Sequence, residues 1–82
     1  MRKEQFFTFR DDVQEVIFRW SAVANMALSG AIITVYLHNH YRTDINFAPS
    51  GTRYPSPEYD EASKKADAAY RSMVRAWKEA MR

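Results

Sequence analysis

Trp20 to Leu37 reads WSAVANMALSGAIITVYL, the most apolar run of the chain. It carries no formal charge. Drawn as a helix, it points Val23, Met26, Leu28, Ala31, Ile32, Ile33 and Val35 in every direction, so it is apolar all round. Crossing hydrocarbon takes about 20 apolar residues, with roughly 17 the lower limit, and this run meets that limit. Trp20 at one end, with Tyr36 and Tyr41 at the other, matches aromatic belts at two interfaces. Arg19 and Arg42 bracket the run, and an arginine head can snorkel to the headgroup level. The expectation is a transmembrane helix over residues 20–37, with Arg19, Trp20, Tyr36, Tyr41 and Arg42 at the lipid interface.

The competing reading makes the same stretch the central helix of a soluble three-helix bundle. It accounts for Asn25 and for the modest hydropathy. Covering an all-round apolar helix takes several neighbours, however, and the chain offers two. Within a span, Ala27 and Ala31 form one small-xxx-small pair, and Gly30 and Thr34 form another. Small residues let helix backbones approach closely where lipid supplies no hydrophobic drive, and the Asn25 amide needs a hydrogen-bonding partner there. Asn25, Ala27, Gly30, Ala31 and Thr34 are therefore expected to form a helix-packing interface.

Upstream, Phe6, Phe9, Val13, Val16, Ile17 and Trp20 recur at three- and four-residue steps with few exceptions, the stripe of an amphipathic helix. With no Gly or Pro between it and the span, residues 1–19 read as a helical lead-in continuous with it. Four acidic residues before the run, and no small-residue cleavage site after it, argue against a cleavable leader.

Downstream, residues 38–56 hold two turn signals around Pro49 and Pro55, and their apolar residues show no period. They read as an extended connector. Residues 57–82 then read as an amphipathic helix. Ser56 is a good N-cap and Pro57 suits the first helical position. Acidic residues crowd the first turn, and Arg71, Arg75, Lys78 and Arg82 lie toward the carboxyl end, matching the helix dipole. Tyr59, Ala62, Ala66, Tyr70, Met73 and Trp77 fall on one side. They are expected to be the face that binds a partner helix. The fold class that follows is all-α: a long amino-terminal helix running into a single span, an extended connector and an amphipathic helix.

Composition limits the function classes. The chain has 82 residues and no cysteine, so neither a disulfide framework nor a thiolate site can staple it. A formal net charge of +2 is too balanced for a nucleic-acid binder. His38 and His40 lack a third and fourth ligand, with Asp44 the one acid near them, so no metal is expected. Glu58, Asp60 and Glu61 read as a helix start and not as catalytic acids. The serines have no glycine elbow, and the two glycines cannot build a phosphate loop. No enzyme, cofactor, nucleic acid or small-molecule substrate is expected.

The layout resembles the small single-span accessory subunits of mitochondrial respiratory-chain complexes and ATP synthase. The stretch Glu61 to Tyr70, EASKKADAAY, is similar to the charged arm that follows the span in one cytochrome c oxidase subunit. The resemblance implies a non-catalytic inner-membrane scaffold whose partners are other subunits and membrane lipid. The alternative is a soluble helical interaction module that buries its apolar helix by homodimerisation.

Overall fold

In the computed structural model, residues 6–11 and 14–81 are described. The chain is mainly β. Strands β1 (Phe6–Arg10) and β2 (Glu15–Arg19) lead through a short 3-10 turn, Trp20–Ala22, into β3 (Val23–Ser29), β4 (Ile32–Leu37) and β5 (Arg42–Asn46), and one helix, α1 (Pro57–Ala80), follows. β1 and β2 form an antiparallel hairpin, and β3, β4 and β5 form an antiparallel meander in that order.

The all-α expectation is therefore corrected. Residues 20–37 are not a transmembrane helix, because the apolar run is a hairpin that turns at Gly30-Ala31, between the paired residues Ser29 and Ile32. Gly30 has φ +58° while Ala31 stays at negative φ, as a II′-type turn requires. Beyond the turn come Ile32, Ile33, Thr34, Val35 and Tyr36, β-branched and aromatic residues that suit a pleated sheet better than a helix. An all-round apolar helix and a hairpin with one face in a core draw on the same composition. No helix among the described residues is long and apolar enough to cross a membrane. The membrane and transmembrane-helix terms lose the span on which they rested.

The lead-in corrects in the same way. The three- and four-residue steps concealed a two-residue alternation. Val16, Phe18 and Trp20 are buried, while Glu15, Ile17 and Arg19 are exposed. Phe7 lies opposite Phe18 and Phe9 opposite Val16. Phe7, Phe18 and Trp20 form an aromatic cluster with centroids 5.0–5.5 Å apart. Val13, which belonged to the helical stripe, lies outside the described residues. The connector also contains a strand, β5, whose RTDIN alternation buries Ile45.

In the meander, Met26, Leu28, Ile33, Val35 and Ile45 fall on one face by register, and an extra residue at Ala24 lets Val23 join them opposite Leu37. Ile33, Val35 and Ile45 are wholly buried. Removing each such side chain from water contributes about 1.5–3 kcal/mol. α1 lies across this face, antiparallel to β3. Tyr59 and Ser63 sit at Gly30, and further along Tyr70 reaches Met26. The Ser56 hydroxyl caps the helix by accepting from the Tyr59 amide at 3.0 Å. The hairpin closes one end of the core, with the Phe9 and Phe47 rings 5.3 Å apart.

Candidate functional site

The helix covers one face of the meander and leaves the other open. The register arranges the open face in three rows. Asn25, Tyr36 and Arg42 form the first, Ala27, Thr34 and Asp44 the second, and Ser29, Ile32 and Asn46 the third. All are exposed except Thr34 at the centre, which is half-buried by its neighbours. Neighbouring strands lie about 4.8 Å apart and same-face residues about 7 Å apart along a strand, so the face is about 10 Å by 14 Å between α-carbons. Tyr41 is 70% exposed, but it pairs with Leu37 and so falls by alternation on the other side of the sheet, with Thr43 and Ile45.

The chemistry of the face is mixed. The middle is small, with Ala27 beside Thr34. Tyr36 and Ile32 supply exposed apolar area at 40% and 38%. Arg42 and Asp44 place one charge of each sign on a single strand. A shallow surface of this kind does not enclose a small molecule, which needs a concave pocket. It also has no basic stripe for a phosphate backbone.

Five residues singled out in the sequence meet here. Asn25, Ala27 and Thr34 were expected on a helix-packing interface, and Tyr36 and Arg42 at a lipid interface. The sheet brings them together because β3, β4 and β5 lie side by side. Gly30 and Ala31 do not join them. Gly30 forms the turn against Tyr59, and Ala31 is 1% exposed. Arg19 lies on the outer side of β2 with its guanidinium 5.2 Å from the Phe6 ring centroid. Trp20 is in the core, 3% exposed. Of the helical residues, Ala62, Ala66 and Met73 are buried, and Tyr59, Tyr70 and Trp77 are half-buried. That side of α1 is turned on the chain's own sheet. Ser29, Ile32, Asp44 and Asn46 were not anticipated. For Asp44 and Asn46 the signal is the polar–apolar alternation of residues 42–46, and for Ser29 and Ile32 it is their position flanking the turn at Gly30.

The two edges of the meander differ. A two-residue turn makes Ser29 and Ile32 a hydrogen-bonded pair, and antiparallel pairs alternate from there. The backbone of Met26 therefore points away from β4, to the free edge of β3. Its N–H donates to Asn25 Oδ1 at 2.9 Å, and its carbonyl accepts from the Tyr70 hydroxyl at 3.4 Å. On β5 the corresponding outward residues are Arg42, Asp44 and Asn46. The Asn46 carbonyl accepts from Gln14 Nε2 at 2.8 Å. β5 pairs with β4, and among the described residues no strand pairs with its outer edge.

An apolar cleft of about 310 Å³ opens between β1 and α1, lined by Phe7, Phe9, Trp20, Phe47, Met73 and Ala76. It offers few polar groups to orient a ligand. His38 and His40 occupy the β4–β5 turn, and among the described residues no three His, Cys, Asp or Glu side chains group to hold a metal. No protein-family model matches the chain, and neither a curated protein nor a solved structure matches it.

Proposed function

We propose that the chain is a non-catalytic accessory module that docks on another protein of a larger assembly through the open face of β3, β4 and β5. The observation that carries this reading is the face itself. It is exposed, shallow, balanced in charge and edged by Tyr36 and Arg42. Tyrosine and arginine are enriched where proteins bind proteins. The balance of charges favours a protein partner over nucleic acid, and the shallowness favours a macromolecule over a small substrate. The helix serves the module from behind by holding the sheet rigid.

Site-specific photo-crosslinking in the native host tests this. A cross-linking residue at Thr34 is expected to capture one discrete protein, and one at Lys64, exposed on α1, is expected not to capture it. Thr34→Arg, which fills the centre of the face, should abolish co-purification of that protein while the fold persists. Equal capture from both positions, or a partner retained by Thr34→Arg, would rule the face out.

A further inference from the structure

We infer that the outer edge of β5 pairs with β5 of a second copy, antiparallel, joining two meanders into one six-stranded sheet. This pairing uses the edge and not the face, so it stands independently of what docks on the face.

The inference starts from the contrast between the two edges. At β3 the outward groups of Met26 are taken by Asn25 and Tyr70, which interrupts the row of outward groups between Leu28 and the bulge at Ala24. At β5 only the Asn46 carbonyl is taken, by Gln14. Among the described residues, the outward backbone groups of Arg42 and Asp44 have no partner beyond their own strand. An open edge of this sort is a template for another strand.

The charges select a second copy as the occupant and also select the register. Backbone groups of Arg42, Asp44 and Asn46 point outward, so a symmetric antiparallel partner must set outward residues opposite outward residues. Centring the two-fold on Asp44 places two carboxylates opposite each other. Centring it on Arg42 places two guanidinium groups opposite each other. Both are unfavourable. Centring it on Thr43 sets Arg42 opposite the partner's Asp44, and Asp44 opposite the partner's Arg42. Each such pair exchanges two backbone hydrogen bonds, and each carries a favourable cross-strand charge pair on the open side. The Asn46 carbonyl, already occupied, is left out of this register. A parallel arrangement of identical strands is not related by a two-fold and does not close.

The test uses the full chain. Sedimentation equilibrium is expected to show a monomer–dimer equilibrium. Arg42→Glu and Asp44→Lys should each weaken the dimer at least tenfold, because each sets like charges opposite. Mixing the two variants should restore a heterodimer, since Arg42 then meets Asp44 and the introduced lysine meets the introduced glutamate. The chain has no cysteine. Thr43→Cys therefore supplies a single thiol, opposite itself at a non-hydrogen-bonded pair, where the α-carbons are about 4.5 Å apart and a disulfide can form. It should cross-link on oxidation, and Arg42→Cys should not. Circular dichroism of each variant confirms that the sheet persists. A chain that stays monomeric at millimolar concentration would overturn the inference. So would a dimer untouched by both charge variants, a mixture that fails to associate, or a Thr43→Cys chain that does not cross-link. If the edge takes a strand from a different protein, the first of these results follows.

Discussion

The hydroxyl of Tyr59, on the first turn of α1, lies so close over Gly30 in the β3–β4 turn that no Cβ fits between them. Two constraints meet at this glycine. Its φ of +58° disfavours any residue with a side chain, and the tyrosine occupies the space that side chain would need. Gly30→Ala is expected to destabilise by about 2 kcal/mol or more, from left-handed backbone strain and displacement of the tyrosine. Adding Tyr59→Phe should recover part of that loss and leave the backbone part. Urea unfolding of the two single variants and the double variant measures the coupling. Strictly additive effects would mean that the two residues do not touch.

The edge of β3 supports a second prediction. Asn25→Ala removes the acceptor of the Met26 N–H and should cost about 1 kcal/mol. The Met26 amide proton should also lose protection in native-state hydrogen exchange beyond the loss at the core Ile33 amide, which follows global stability alone. Unchanged protection of Met26 would place its N–H elsewhere than on Asn25.

The β4–β5 turn holds a non-glycine residue where glycine is preferred. His40 has φ +72°, its N–H donates to the Leu37 carbonyl at 3.2 Å, and the Leu37 N–H donates to the Tyr41 carbonyl at 2.8 Å. This is a three-residue hairpin loop with its last position left-handed. His40→Gly should stabilise the fold by about 0.5–1 kcal/mol, read as a raised thermal midpoint. A lowered midpoint would show that the imidazole makes a contact worth more than the backbone strain.

Trp77 offers a test of packing against polar satisfaction. Its indole Nε1 is buried and finds no acceptor among the described residues. Trp77→Phe loses volume but also removes an unpaired donor whose desolvation costs about 1–3 kcal/mol. The net change should stay within about 1 kcal/mol of the parent. Met73→Ala, four residues earlier on the same side and 3% exposed, removes apolar volume alone. It should cost about 2–4 kcal/mol. Denaturant midpoints of the pair, compared at constant slope, decide whether the tryptophan nitrogen is a burden.

The helical readings of residues 1–37 failed for a common physical reason. Phe6, Phe9, Val16 and Trp20 keep helical spacing, while Val16, Phe18 and Trp20 keep strand spacing, and both patterns coexist in one dense apolar stretch. The deciding signals were Gly30, followed by a run of β-branched residues, and the alternation of Arg42-Thr43-Asp44-Ile45-Asn46. The first equally suits a small helix-packing position, and the second sits inside a stretch that otherwise has the aperiodic character of a connector. The candidate face was legible only in pieces. Asn25, Ala27, Thr34, Tyr36 and Arg42 stood out as residues needing partners, but nothing local shows that three strands set them side by side.

Chemistry that depends on near neighbours is legible in the residues themselves. The start of α1 is written in Ser56 and Pro57, with acids in its first turn. Its inward side is written in the spacing of Ala62, Ala66 and Met73. The absence of cysteine and the near balance of charge are likewise properties of composition. The tertiary structure alone decided that the apolar run folds back on itself, that α1 turns its apolar side on its own sheet, and that one sheet face and the β5 edge stay open. Helix hydrogen bonds close within four residues, so a helix is encoded locally. Strand hydrogen bonds close across the chain. Thr34 meets Asp44 and Tyr70 meets Met26 only after the whole domain has assembled.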